Sequence, residues 1–214
     1  QAGIDFRWRV KAGKAPEGAV WLFSQDSETL AEIVRDVNKW SNNTMARHVF
    51  LTLSLADIEG DSAPCSLERS RKVMARWLQG TGVDAKGMFV DNGSGLSRET
   101  RISARTLGRM LSAGYAHAAF PDFMASLPAA GIDGTMRKRP MPAGSARMKT
   151  GYLDNARALA GYVTDEKGER WSVVLIVNGK DMARGKRLGD KLLAWCATEA
   201  WRARAANLAK TAKK

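Results

Sequence analysis

Apolar positions in the first two thirds of the chain recur at helical spacing. Leu30, Ile33, Val34, Val37 and Trp40 follow Ser27, which the pattern makes an N-cap with Glu28 in the first turn. Asn42-Asn43 either breaks this helix or lies inside it facing a polar partner, and Met45, Val49 and Leu53 continue the period. Gly60 to Pro64 reads as a loop. Ser66 to Gln79 carries Leu67, Val73, Met74 and Trp77 at the same spacing, and Gly80-Thr81-Gly82 ends it. Val83 to Arg101 is rich in turn residues. Ser103 opens a further helix with Leu107, Met110 and Leu111 inward, and Pro121 to Leu127 forms a short one. Gly131 to Ala143 is a loop.

The last third changes period. Ser145 to Gly151, Ala156 to Val163 and Arg170 to Val177 read as strands. The turns between them, Leu153 to Asn155 and Asp165 to Gly168, are short, so the strands form antiparallel hairpins. A final helix runs from Gly185 to about Leu208 with Leu188, Leu192, Trp195 and Cys196 on one stripe. At the other end, Phe6, Trp8 and Val10 alternate, and Ala19 to Phe23 follows a turn at Lys14 to Gly18, which predicts two short strands. Helices, then a meander, then a helix make a mixed α+β (α/β) layered fold, an antiparallel sheet flanked by helices.

Composition narrows the class. The 214 residues are 44% hydrophobic and 26% charged, an ordinary globular balance that excludes a disordered or collagen-like chain. The apolar stretch Trp171 to Val177 falls far short of the ~18 residues of a membrane span. Two Cys and two His are too few for a zinc ribbon or a disulfide scaffold, no metal or other cofactor is expected, and Cys65 and Cys196 read as unpaired thiols, with a Cys65–Cys196 pair as the alternative. The net charge of +12 suits an anionic partner. Arg202, Arg204, Lys210 and Lys213 read as a solvated face, and no aromatic-stacking or helix-turn-helix signature supports a specific nucleic-acid partner.

Three segments hold candidate chemistry. Lys149-Thr150-Gly151 ends a strand; its ammonium and hydroxyl can bind a carboxylate while the glycine admits substrate backbone. Asp91-Asn92-Gly93-Ser94-Gly95-Leu96-Ser97 is a Gly/Ser turn before a helix. Asn42-Asn43 places two amides in a helical context, which costs propensity.

Taken in order, these segments resemble the penicillin-binding D-alanyl-D-alanine carboxypeptidases of the penicillin-binding protein 4-like type. Asp91 to Arg98 with Arg101 to Ala104 looks like the family's second active-site region, and Lys149-Thr150-Gly151 like its third motif. Leu30 to Asn43 looks like the helix preceding the second motif, and Ala130 to Met136 like the loop before the third. The resemblance covers about residues 15 to 205 and implies part of the penicillin-binding protein/serine β-lactamase-like transpeptidase fold. It implies a periplasmic serine acyl-enzyme mechanism on the peptidoglycan stem peptide, inhibited by β-lactams. By motif match Ser97 is the second-motif serine, with Ser94 the lesser candidate; Lys149, Thr150 and Gly151 bind substrate; and the backbone N–H of Tyr152 is one oxyanion donor.

The chain departs from the family pattern in three places. The family's second motif is a serine followed closely by an asparagine, but Ser97 is followed by Arg98, Glu99 and Thr100, so Glu99 or Thr100 stands where the amide would be. Tyr152 stands where the family usually has Thr or Ser. No serine has a lysine three positions on, so the nucleophile motif Ser-x-x-Lys is absent from these residues. The resemblance therefore implies a C-terminal portion, inactive alone. It would comprise remnant strands of an inserted region in residues 1–25, a helical part in 26–144, and the sheet with the final helix in 145–214. The strand Arg170 to Val177, apolar on both faces, is expected to pair outside this chain, with the N-terminal part or with a second copy. The competing reading is a non-catalytic module that grips peptidoglycan or another anionic polymer.

Overall fold

The computed structural model describes residues 12–57, 64–139 and 141–198. Helix α1 spans Leu30–Trp40 and α2 Asn43–Thr52. Helix α3 spans Leu67–Gly80, α4 Ala104–Tyr115 and α5 Phe120–Ser126. Strands β1 (Ala146–Leu153), β2 (Ala156–Thr164) and β3 (Arg170–Asn178) precede helix α6 (Met182–Ala197). The strands form one antiparallel sheet in the order β1-β2-β3, with Lys149 opposite Ala160 and Gly161 opposite Val173.

The sheet is covered on both faces, and strand alternation decides which residue meets which cover. Leu159, Val163 and Val173 point to α6, where they pack with Met136, Met148 and Leu193. Ala160, Tyr162 and Val174 point to α4 and α5, packing with Leu111, Leu127 and Phe123. Tyr162 is nearly fully buried there, and its hydroxyl donates to the Leu111 carbonyl at 2.6 Å. The apolar residues on both faces of β3 each have a cover: Val173 serves one core and Val174 the other.

Several boundaries differ from the sequence pattern. Helix α1 is capped by Thr29, not Ser27, because Thr29 and Glu32 form a reciprocal capping box. Its apolar ends, Leu30 and Trp40, are exposed, while the buried residue is Lys39. Asn42-Asn43 breaks the helical run: Ser41 adopts a left-handed conformation at φ 58° and Asn42 caps α2. On α6 the expected stripe holds at Cys196, which is buried, and at Leu192, which packs against the same core, but not at its other two residues. Leu193, Cys196 and Ala197 are buried, whereas Leu188 and Trp195 lie outward. Gly185 and Gly189 complete the inward face, and a Cβ on Gly189 would stand 3.5 Å from Leu175 Cδ2. A face made partly of glycine escapes a count of hydrophobic residues. The helix ends at Ala197 with Thr198 as its cap, and the expected extension toward Leu208 lies outside the described residues.

At the N-terminal end, Ala19 to Phe23, expected as a strand, has no regular secondary structure and pairs with no strand among the described residues, and Val20, Trp21, Leu22 and Phe23 are exposed. The expected strand through Phe6, Trp8 and Val10, and most of the Gly60 to Pro64 loop, lie outside the described residues. Cys65 and Cys196 are both free thiols, and burial pushes the Cys196 thiol above its ordinary value.

Candidate active site

The third-motif lysine meets the C-terminal end of α1. Lys149 Nζ donates to Ser41 Oγ at 2.9 Å and to the Thr150 carbonyl at 2.8 Å. Burial lowers the Lys149 amine below the ordinary lysine value, because removing water disfavours the charged form. Ser41 reaches it because the left-handed turn at the end of α1 swings the chain toward the sheet. The next turn is fixed by both amides. Asn42 Oδ1 accepts the Met45 N–H at 3.0 Å, and Asn43 Nδ2 donates to the Ser94 carbonyl at 2.6 Å.

The Gly/Ser turn therefore supports the Ser41 segment through its backbone. The turn is closed at its base by the Phe89–Arg101 bridge and braced by Arg71 Nη1 on the Asp91 carbonyl at 2.7 Å. Inside it, the Ser94 N–H donates to Asn92 Oδ1 and the Leu96 N–H to Ser94 Oγ. Ser97 Oγ accepts the Glu99 N–H at 3.0 Å, a local turn, and among the described residues no hydrogen bond joins Ser97 to Lys149. Glu99 is exposed, and Thr100 Oγ1 accepts the Asp91 N–H, so each is accounted for without an amide-like role. Arg98 reaches Asp154 at 2.8 Å, tying the turn to the β1–β2 hairpin.

The geometry brings a serine other than Ser97 to Lys149. The hydroxyl delivered to Lys149 is that of Ser41, and Ser41-Asn42-Asn43 is itself a serine followed closely by asparagine. That pattern was legible in the sequence. The helical period of Leu30 to Trp40 masks it, because the serine stands where that helix would continue.

Strand β1 presents the other half of the site. The Met148 N–H donates to the Pro128 carbonyl at 2.9 Å, away from β2. Strand alternation then directs the N–H groups of Thr150 and Tyr152 the same way, onto an edge that no strand pairs among the described residues. The Tyr152 N–H is therefore free of the ladder on that edge. The Tyr152 ring turns aside and stacks with the Arg157 guanidinium at 3.5 Å. Thr150 Oγ1 bonds to Thr135 Oγ1 at 3.0 Å. A Cβ on Gly151 would stand 3.2 Å from Ala158 Cβ on the neighbouring strand. Beside Thr150, a cavity of about 360 Å³ carries Lys138, Arg139, Arg157 and Lys186. It opens on the α6 side of β1, the opposite face from Lys149, and of its cations Arg139 is paired with Asp190.

These parts allow definite chemistry. A half-buried ammonium on a serine oxygen polarises that hydroxyl, so the serine can pass a proton to a neighbouring group. An open strand edge can hold an extended peptide, and a hydroxyl among cations can hold a carboxylate. Among the described residues no group of His, Cys, Asp and Glu is arranged to bind a metal ion.

D-alanyl-D-alanine carboxypeptidase DacB of Haemophilus influenzae is 27% identical over 184 residues, covering 84% of this chain and 38% of the relative. Carboxypeptidase DacB of Mycolicibacterium smegmatis is 31% identical over 170 residues, covering 75% of this chain and 36% of the relative. The chain thus spans less than two fifths of these relatives. The crystal structure of penicillin binding protein 4 from Haemophilus influenzae, complexed with a β-lactam, superposes with a TM-score of 0.61 at 24% identity. It covers 74% of this chain and 40% of that one. A predatory endopeptidase of Bdellovibrio bacteriovorus shares the fold with a TM-score of 0.59 at 21% identity, over 78% of this chain and 43% of that one. The family model for D-Ala-D-Ala carboxypeptidase 3 (S13) matches residues 1–199, and the chain belongs to that family.

Proposed function

We propose that this chain is the C-terminal portion of a serine-type D-Ala-D-Ala carboxypeptidase/endopeptidase that cleaves peptidoglycan stem peptides in the periplasm through an acyl-enzyme. The observation that carries the reading is the Lys149–Ser41 contact at 2.9 Å, set beside the outward N–H groups of Thr150 and Tyr152. Ser41 is the second-motif serine: it relays the proton between the attacking hydroxyl and the leaving amine. Asn43 holds the Ser41 loop against the Gly/Ser turn. Lys149 keeps Ser41 polarised, and Thr150, with the cations near it, binds the terminal carboxylate. Gly151 lets the substrate backbone lie flat on the strand. The Tyr152 N–H takes one side of the oxyanion, and the nucleophile's own N–H takes the other. The nucleophile and its base come from a Ser-x-x-Lys segment outside these residues. The division into 1–25, 26–144 and 145–214 follows from this reading. No helix among the described residues is long and apolar enough to cross a membrane.

The open side of β3 fits the same reading. Its residues are apolar toward both layers, and among the described residues only β2 pairs with it. We assign the free side to the N-terminal part of the parent enzyme, with a second copy of this chain as the outcome that light scattering would distinguish. The deciding experiment is acylation. Labelled penicillin should attach to the parent enzyme and block release of D-Ala from a stem pentapeptide, while the 214 residues alone should form no stable adduct. An adduct on any serine of the isolated chain would overturn the assignment. The competing reading as a binding module would gain if the parent bound peptidoglycan but neither took penicillin nor released D-Ala.

A further inference from the structure

Two lysines converge where α1 meets the sheet, and the proposed chemistry uses only Lys149. The other is Lys39, whose side chain is 11% exposed. A buried ammonium is tolerated only when paired and hydrogen-bonded. Lys39 Nζ donates to Asp133 Oδ2 at 2.7 Å and to the Leu127 carbonyl at 2.8 Å. The other carboxylate oxygen, Asp133 Oδ1, accepts the Ala129 N–H at 2.8 Å. Burial alone would raise the Asp133 carboxyl. The bonds from Lys39 and Ala129, with the charges of Lys39 and Arg147, outweigh it and hold the group below the ordinary carboxylate value.

Both partners of Lys39 belong to a segment zipped onto β1. The Met148 N–H donates to the Pro128 carbonyl at 2.9 Å, and the Ala130 N–H donates to the Ala146 carbonyl at 2.8 Å. Lys149 is the residue after Met148. On the helix side, Ser41 is the second residue after Lys39. Contact is close enough that a Cβ on Gly134 would stand 2.6 Å from the Lys39 carbonyl oxygen, and Gly134 has φ +53°. The path from Ser41 through Lys39 and Asp133 to β1 and Lys149 is thus a closed ring of short links. The Ser41–Lys149 hydrogen bond completes it.

We infer that Lys39 is a positioning residue, whose ion pair with Asp133 holds the Ser41 turn at the hydrogen-bonding distance from Lys149. The inference rests on the proposed reading of Ser41 and Lys149 as site groups. It explains why the one fully packed position of α1 is a cation rather than an apolar residue. Methionine in its place would fill the volume but leave the Leu127 carbonyl and Asp133 without their donor, freeing the end of α1 from β1.

Acetylation footprinting of the 214-residue chain tests this, with Lys149 resolved by mass spectrometry and exposed Lys86 as the internal reference. Each variant is labelled under conditions where circular dichroism shows it folded. Ser41→Ala calibrates the method and should speed Lys149 labelling. Lys39→Met should speed it about tenfold, because labelling of a protected group follows its local opening. Lys39→Arg keeps the cation and should stay near the wild-type rate, a contrast that volume filling alone would not produce. If Lys39→Met does not fold, Asp133→Asn, which keeps shape and removes charge, should accelerate Lys149 in the same direction. A wild-type Lys149 rate in folded Lys39→Met or Asp133→Asn, with Ser41→Ala accelerated, overturns the inference and leaves the site reading intact. A wild-type rate in Ser41→Ala overturns both.

Discussion

Two polar segments of the helical layer look alike in sequence and differ in structure. Ser41-Asn42-Asn43 and Ser94-Gly95-Leu96-Ser97 each join elements through small hydrogen-bonding residues. The first is held on three sides: by Lys149 through Ser41 Oγ, by the Asn42 cap on α2, and by the Ser94 carbonyl through Asn43. The second is held mainly through its main chain, and its side-chain oxygens serve turns within it, Ser94 to Leu96 and Ser97 to Glu99. The difference is one of role. A hydroxyl whose lone pairs serve its own turn shapes backbone, whereas a hydroxyl delivered to a half-buried amine of another element is available for chemistry.

The sharpest way to break this comparison is to delete each hydroxyl in the parent enzyme. Ser41→Ala should lower the rate of acylation by penicillin by about 10²-fold or more, the scale of a proton-transfer group. Ser97→Ala should change it no more than a surface substitution would, with stability within about 0.5 kcal/mol of wild type. Stopped-flow acylation decides it, and the reverse order of effects would return the catalytic role to the Gly/Ser turn. Next in size is Lys149→Ala. Loss of a charge-assisted contact costs about 1.5–3 kcal/mol, so carboxypeptidase kcat/KM should fall roughly 10- to 150-fold with the fold retained. Arginine at that position should rescue poorly, because a planar fork does not replace a compact ammonium. Unchanged kinetics in Lys149→Ala would reduce Lys-Thr-Gly to a strand end.

A third substitution probes the turn as scaffold. Gly93 has φ +73°, and a Cβ there would stand 2.3 Å from Phe50 Cβ on α2. Gly93→Ala should destabilise the chain by about 1–3 kcal/mol, the range for overpacking a well-filled contact, read from chemical denaturation. It should also weaken the Asn43–Ser94 link, since the carbonyl concerned belongs to the next residue. Wild-type stability in Gly93→Ala would mean that the turn does not bear on α2.

Legibility followed the kind of signal. The three strands and their two turns were readable almost to the residue, because alternation and short turns leave one register. The third motif was readable as well, since Lys149-Thr150-Gly151 is contiguous. Other parts depend on what folding brings together. Lys39 is a charged residue that periodicity assigns to solvent, and only its pairing with Asp133, far along the chain, makes burial affordable. The inward face of α6 begins with Gly185 and Gly189, which carry no hydrophobic signal. Ser41 lost its identity to the helix pattern around it. Its left-handed conformation, which a serine adopts only when neighbours hold it there, has no trace in composition.

The smallest expected effect is a slope. Burial lowers the Lys149 amine in the folded chain, whereas the unfolded chain restores its ordinary value of 10.5. Between the two values the unfolded state binds more protons than the folded one, so stability rises with pH across that alkaline window. Below the window Lys149 is charged in both states, and its desolvation counts against folding. Above it the amine is neutral in both, and that cost is gone. The turn from Asp91 to Thr100 contains no lysine, so this slope belongs to the Ser41–Lys149 side of the comparison. Urea denaturation at a series of alkaline pH values should show wild type gaining stability relative to Lys149→Met as pH climbs toward the ordinary lysine range. Ser97→Ala should follow wild type throughout. If Lys149→Met runs parallel to wild type at every pH, the amine is hydrated in the folded chain, and the polarised Ser41 hydroxyl loses its basis.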